Sequence, residues 1–103
     1  MRIGGGLAEL LRTKGELILM EGTQNAAGAA EDLFLKALDW ARRQGVRSWE
    51  LRAATSLAGL WRDKERTEEA RELLAPVYGQ FTEGFETTDL KAAKPLVDYL
   101  RRL

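Results

Sequence analysis

Residues 30–41 read AEDLFLKALDWA, and residues 70–81, forty positions later, read ARELLAPVYGQF. In both segments the apolar residues follow the spacing i, i+3, i+4, i+7, i+8, i+11, which places them along one side of an α-helix. The two matching stripes are Ala30, Leu33, Phe34, Ala37, Leu38 and Ala41, and Ala70, Leu73, Leu74, Val77, Tyr78 and Phe81. Such a recurrence is typical of helical repeats, in which each unit buries its apolar stripe against a neighbour.

The pattern around these stripes predicts an all-α chain of five helices. We expect them over residues 7–20, 27–44, 48 to 63–66, 67–82 and 88–102. Gly45 is predicted to end the second helix in a left-handed conformation. Ser48, Thr67 and Thr88 are predicted to cap the third, fourth and fifth helices, and Pro76 and Pro95 are expected to bend the helices that contain them.

The repeat is unequal in its two halves. Helices two and four align at a shift of forty residues, whereas helices one and three align at a shift of forty-three. The pairs matched between helices one and three are Ala8 with Leu51, Leu11 with Ala54, Gly15 with Ala58 and Ile18 with Trp61. The turn of the first hairpin is therefore predicted to be about three residues longer than that of the second. We place this extra chain in a polar loop over residues 21–28.

The aligned positions resemble tetratricopeptide repeats. That family's helical hairpin alternates large and small residues at fixed positions. In the second unit the matching residues are Leu57, Ala58 and Trp61, followed by Ala70, Leu74 and Val77. In the first unit they are Gly15 and Ile18, followed by Ala30, Phe34 and Ala37. Lys14 departs from the pattern, and the forty-residue period exceeds the family's usual thirty-four. The resemblance implies two hairpins and a C-terminal capping helix, stacked as a short right-handed α-solenoid that binds protein.

A narrower resemblance covers residues 37–100. The runs ALDWARRQG at 37–45, SWELRAA at 48–54, LAPVY at 74–78 and FTEGF at 81–85 are similar to the C-terminal tails of bacterial signalling proteins that join a nucleotide cyclase domain to a predicted ATPase domain. This resemblance implies a repeat-bearing regulatory tail. No phosphate-binding loop or pair of metal-binding aspartates accompanies it, so neither enzymatic activity is implied here.

Composition narrows the class of partner. The 103 residues include 16 basic and 16 acidic side chains, and this balance disfavours nucleic acid, which is bound largely through basic residues. No apolar run is long enough to span a membrane, and residues 1–6 lack the apolar core of a secretory signal. We therefore predict a cytoplasmic protein. Residues 1–6 form a flexible linker or an expression remnant, and residues 7–103 form one domain, with repeats at 7–45 and 48–82 and a capping helix at 88–102.

The residue types disfavour catalysis and cofactors. The chain has no cysteine and no histidine, which removes thiolate chemistry and the usual activation of a serine hydroxyl. The glycines at 4–6 are not preceded by a strand, as a phosphate-binding loop requires, and Glu68, Glu69 and Glu72 have the spacing of a solvated helix face. We predict a protein that is not an enzyme and that holds no cofactor or metal.

The first helix of each hairpin lines the groove in the repeats that this chain resembles. Carried onto this sequence, the predicted partner-binding positions are Glu9, Arg12, Glu16, Leu19, Arg52, Thr55, Gly59 and Arg62. Their mixed charge suits a polar peptide. Arginines 42, 43, 47 and 52 could instead form a basic patch, which leaves open a regulatory domain that senses a small ligand or nucleotide and gates an attached enzyme.

Two further expectations concern aromatic and leucine side chains. Trp61 falls on the repeat seam and is predicted to be core, whereas Trp40 and Trp49 could lie at an edge that a partner covers. Leu7, Leu10 and Leu17 have no evident cover on helix one. We therefore expect either a homo-oligomer through helix one or packing against upstream repeats.

Overall fold

The computed structural model describes residues 4–81 and 87–102, and these form helices without strands. The all-α class is therefore confirmed. The helices are α1 (Gly4–Glu21), α2 (Ala26–Gln44), α3 (Arg47–Asp63), α4 (Thr67–Gly79) and α5 (Thr88–Arg101). The turn expected at Gly84 lies outside the described residues.

Helix α3 is the centre of the arrangement, since it contacts each of the other four helices. Consecutive helices also pack on one another, as short connections between antiparallel neighbours require. The helices α1 and α5 lie against α3 but not against each other. As a result α1, α3 and α5 together border one side of the molecule.

The predicted stripes form the core. Ala30, Phe34, Ala37, Ala70 and Leu74 are fully buried, and they join the apolar side of α3 in one cluster that continues into α5. Leu33 and Tyr78, at the margins of their stripes, are half-buried. The six-position pattern therefore marks the buried side of each helix, with its edges partly exposed.

Three cap predictions are wrong by one or two residues. Helix α3 follows Val46, so Ser48 lies inside its first turn. The helix begins early because the left-handed Gly45 (φ 71°) reverses the chain direction and the Val46 N–H donates to the Ala41 carbonyl. Thr67 is the first residue of α4, and Arg66 before it occupies the cap position without a side-chain cap hydrogen bond. Thr87, and not Thr88, caps α5, its hydroxyl accepting from the Leu90 N–H at 3.4 Å.

Other boundaries also differ from the predicted ones. Helix α1 begins at Gly4, so residues 4–6 of the expected linker are its first turn. The connection 22–25 is only one residue longer than the connection 64–66, and the remaining extra residues of the first hairpin lengthen α1 and α2. Pro76 and Pro95 both lie inside helices, as expected, and α4 ends at Gly79.

Candidate functional site

An open cleft of about 560 Å³ lies between α1, α3 and α5. This volume is in the range of ligand-binding sites. The side chains that line it come from these three helices alone: Arg12, Glu16 and Leu19 from α1, Arg52, Thr55, Ser56, Gly59, Leu60, Arg62 and Asp63 from α3, and Thr88, Asp89 and Ala92 from α5.

The structure brings the predicted groove residues together. Seven of the eight line this cleft. The eighth, Glu9, stands beside it and forms ion pairs with Arg12 at 3.1 Å and Arg52 at 3.0 Å. Their role in binding remains a prediction, but their position on one surface is a property of the fold.

Arg52 connects the three helices that form the cleft. Its Nε donates to Asp89 Oδ1 of α5 at 2.7 Å, and its Nη1 donates to Glu9 Oε1 of α1 at 3.0 Å. Both guanidinium contacts are charge-assisted hydrogen bonds, the stronger kind. Arg52 therefore links α1, α3 and α5 across the cleft.

A second group of polar contacts joins α1 to α3 in the middle of the cleft. The Ser56 hydroxyl donates to Glu16 Oε2 at 2.8 Å, and Arg12 Nη1 lies 3.5 Å from the same hydroxyl oxygen. Arg12 also donates through Nε and Nη2 to the two carboxylate oxygens of Glu9, both at 3.1 Å. Like Arg52, Arg12 is thus held by groups of the protein itself.

These contacts change how two of the charged groups titrate. Partial burial would raise the pKa of Glu9, but hydrogen bonds and charge from Arg12 and Arg52 outweigh it and hold that pKa below its ordinary value. The hydrogen bond to Asp89, with that to Glu9, raises the pKa of Arg52. The lowered pKa of Glu9 and the raised pKa of Arg52 both favour the ionised forms, so these ion pairs stabilise the folded state.

The end of the cleft around Gly59 and Arg62 is different. Within the part of the chain that the structure describes, Arg62 forms an ion pair with its sequence neighbour Asp63, at 3.1 Å, and with no residue of another helix. A β-carbon built on Gly59 would have Leu96 Cδ2 as its nearest neighbour, at 4.0 Å, so the space above the helix backbone is open. Leu19, which is half-buried, lines the same cleft and adds apolar surface to its polar walls.

Sequence reasoning missed the contribution of α5 and of Ser56. From the sequence alone, Asp89 is a carboxylate favoured in the first turn of a helix, and Ser56 is one of several small residues on α3. The hydrophobic period shows which side of α5 is buried but not which neighbour it packs against. The one available signal was that Asp89 is in the first turn of a helix that follows the second hairpin, where it could reach α3.

The basic patch considered from the sequence is not formed by free guanidinium groups. Arg42 pairs with Glu50 at 3.0 Å, Arg43 pairs with Asp39 at 3.0 Å, and Arg52 lies in the cleft. Arg47 is exposed. Three of these four arginines are thus engaged in ion pairs with different carboxylates.

The tryptophans are all half-buried. Trp61, predicted as core, packs against the cluster at its margin and donates its indole N–H to Glu31 Oε1 at 3.1 Å, while Arg66 stacks over its ring at 4.8 Å from the centroid. Trp40 lines a smaller cavity of about 330 Å³ between α1 and α2, with Leu7 and Leu11.

Residues 4–81 and 87–102 contain neither a metal-binding cluster nor a helix that could span a membrane. No cluster there has the three acidic or other ligating side chains that a metal ion needs. None of the helices in that part of the chain has both the length and the apolar character of a membrane span.

Comparison with known proteins adds no relative: no family model, curated protein or solved structure matches this chain. The resemblance to tetratricopeptide repeats therefore rests on the residues quoted above.

Proposed function

We propose that the chain is a non-catalytic protein-interaction module that binds a polar peptide segment in the cleft between α1, α3 and α5. The stacking of its two hairpins as a short right-handed solenoid is part of this proposal. The observation that carries it is the open cleft, where Gly59 leaves room above α3 and which Leu19 and Arg62 also line.

The charge of the cleft favours a peptide over a polyanion. Its lining contains three arginines and three carboxylates, so it has no net charge to attract phosphates. Arg12 and Arg52 are engaged by Glu9, Glu16 and Asp89. A peptide backbone supplies both donors and acceptors, and it can use the mixed polar walls without breaking these pairs.

The wider role proposed for the module is that of a C-terminal regulatory tail in a larger signalling protein. Its support is the resemblance of residues 37–100 to such tails. In that setting the cleft would hold a segment of the same protein or of a partner, and cytoplasmic localisation would follow from the role. The genomic reading frame upstream of Met1 tests this part: cyclase and ATPase domains encoded there would support it, and an unrelated upstream gene would contradict it.

The binding proposal is tested by selecting peptides from a random display library on the intact protein. Selected peptides should bind the wild type and should lose affinity for Arg62→Glu, because that change replaces the guanidinium at the open end. Arg43→Glu, on α2 and away from the cleft, is the matched control and should bind normally. Arg52 is unsuitable for this test, since a carboxylate there would face Glu9 and Asp89 and destabilise the fold.

A nucleotide panel in a thermal unfolding assay tests the ligand-sensing alternative. A ligand that binds only the folded protein raises its melting temperature. We expect no shift with nucleotides and a shift with a selected peptide. A nucleotide-induced rise that Arg62→Glu abolishes would contradict the peptide proposal.

A further inference from the structure

Helices α1 and α3 run in the same direction along the cleft. Glu9, in the first half of α1, accepts from Arg52 of α3 at 3.0 Å. Arg12 and Glu16, further along α1, contact Ser56, which is one turn further along α3. The contacts therefore follow the same order on both helices.

Helix α5 runs in this direction as well. Asp89, in its first turn, accepts from Arg52 at 2.7 Å. Leu96, two turns later, has the side-chain atom nearest to a β-carbon built on Gly59, at 4.0 Å. Since Gly59 also lies two turns after Arg52, the cleft has a long axis that follows α3, with α1 and α5 along its sides.

Arg52 marks one end of this axis. Among the residues that the structure describes, the lining begins with Arg12 on α1, with Arg52 itself on α3 and with Thr88 on α5. Arg52 spans the width of the cleft at that level, because its guanidinium contacts both Asp89 and Glu9. Its side chain is still 40% exposed, so a chain that lies along α3 meets it there.

The length of the cleft sets the length of chain that it can hold. Its α3 lining extends from Arg52 to Asp63, and the rise of a helix makes this stretch about 16 Å long. An extended chain advances about 3.3 Å per residue, so about five residues span it. A helical partner would need about eleven residues to cover the same distance.

The walls of the cleft suit an extended chain better than a helix. A docked helix satisfies its own backbone groups and binds through a row of apolar side chains, but the lining includes three arginines, three carboxylates and three hydroxyl groups. An extended chain brings backbone N–H and C=O groups that need partners. Arg52 can supply a donor, since its Nη2 makes no hydrogen bond to the residues that the structure describes.

We propose, on the basis of the peptide-binding function above, that Arg52 closes one end of the cleft and limits the bound segment to about five extended residues. The segment lies along α3 between Arg52 and Arg62. Arg52 sets its register by donating from Nη2 to a backbone carbonyl of the segment while keeping its contacts with Glu9 and Asp89. Arg52 is thus the residue that determines the length and position of the partner.

Truncation of a library-selected peptide from both ends tests the length, with affinities for the intact protein measured by fluorescence anisotropy. A minimal peptide of about five residues should bind within about threefold of the full-length peptide. A minimal length of about nine residues or more would overturn the length limit and leave peptide binding intact. Selection of no peptide at all would instead contradict the binding function on which the limit depends.

Double-mutant cycles between protein and peptide test the register. Arg52→Gln and Thr88→Ala, at one end of the cleft, should both couple to the same terminal residue of the minimal peptide. Arg62→Gln should couple to a residue about four or five positions away. Each coupling should change the affinity at least about threefold relative to independent effects. Arg43→Gln, on α2 and away from the cleft, is the matched control and should couple to none of the peptide residues.

The two variants at the Arg52 end separate register from stability. Arg52→Gln removes two ion pairs, whereas Thr88 is exposed and the hydroxyl that caps α5 belongs to Thr87, so Thr88→Ala should keep the wild-type stability. Circular dichroism checks that each variant is folded. Loss of coupling in both variants would overturn the proposal, and so would coupling of Arg52 and Arg62 to residues about ten positions apart, as in a helical partner.

Discussion

Gly15 of α1 lies so close to the ring of Phe34 in α2 that a β-carbon built on it would stand 2.6 Å from Phe34 Cε1. Phe34 is fully buried, so its ring has no free space to move into. In the second hairpin the equivalent positions hold Ala58 and Leu74, both also fully buried. The same contact between the two helices of a hairpin is therefore made by glycine and phenylalanine in the first hairpin and by alanine and leucine in the second.

Gly15→Ala is expected to destabilise the protein by about 1–2 kcal/mol, although alanine is the better helix former. The added methyl group must displace the Phe34 ring within a packed core. Urea denaturation followed by circular dichroism measures the change. Gly28→Ala is the matched control: Gly28 lies in α2 with nothing within 4 Å of a built β-carbon, and this change should stabilise the protein.

Adding Phe34→Leu to Gly15→Ala should recover part of the loss, because it recreates the pair found in the second hairpin. We expect a favourable coupling of at least about 0.5 kcal/mol in the double-mutant cycle. If the free-energy changes of the two single variants simply add in the double variant, then the contact between positions 15 and 34 does not determine which residues those positions hold.

The ionised form of Glu9 should contribute stability at neutral pH. Its pKa is lowered in the folded state, so this contribution is fully present above the ordinary value of 4.5 and is lost as the pH falls through the lowered value. Glu9→Gln should therefore be less stable than the wild type at pH 7, and the gap should narrow in acid. Denaturation at a series of pH values measures it. A gap that widens on acidification would contradict the ion-pair assignment.

Arg52→Gln should destabilise the protein by about 1 kcal/mol, since it removes ion pairs to two other helices. Arg62→Gln should stay within about 0.5 kcal/mol of the wild type, because its one partner is its neighbour Asp63 on the exposed surface. Chemical denaturation of both variants checks the distinction. Equal losses in the free energy of unfolding would mean that the ion pairs of Arg52 do not stabilise the packing of α1 and α5 on α3.

Glu65 should accept glycine with a gain in stability. It has a left-handed conformation (φ 62°) in the turn between α3 and α4, and its side chain is exposed. Glu65→Gly is expected to raise stability by about 0.5–1 kcal/mol, since the strain exceeds the entropy that glycine adds to the unfolded chain. Lys64→Gly, at an ordinary φ of −96°, should lower stability instead. Thermal unfolding of the two variants is the measurement.

Much of the fold follows from local pattern. The stripes around Phe34 and Leu74 identify the buried sides of α2 and α4, and Gly45 ends α2 in the left-handed conformation expected of it. These signals are local because a helix repeats its geometry every few residues. The cap assignments at Ser48 and Thr88 failed by one or two residues because competing backbone contacts, such as Val46 to Ala41, set the actual start.

The candidate site was less predictable. The groove residues on α1 and α3 could be predicted because each occupies a fixed place in a repeat. Asp89 could not, since its contact with Arg52 depends on how α5 packs across α3. Nothing in the sequence distinguishes Arg52 from Arg62, whereas in the structure Arg52 pairs with carboxylates of two other helices and Arg62 pairs with its neighbour Asp63.

The central claim is that the open end of the cleft at Gly59 binds peptide, and a fluorescence anisotropy titration of a selected peptide tests it most directly. Gly59→Leu fills that space, and we expect its affinity for the peptide to fall at least about tenfold, a loss of about 1.4 kcal/mol. Gly59→Ala, whose methyl group meets only Leu96 at 4.0 Å, should fold at least as stably as the wild type and serves as the control for the fold. Equal peptide affinity in the wild type and a folded Gly59→Leu protein would contradict the account.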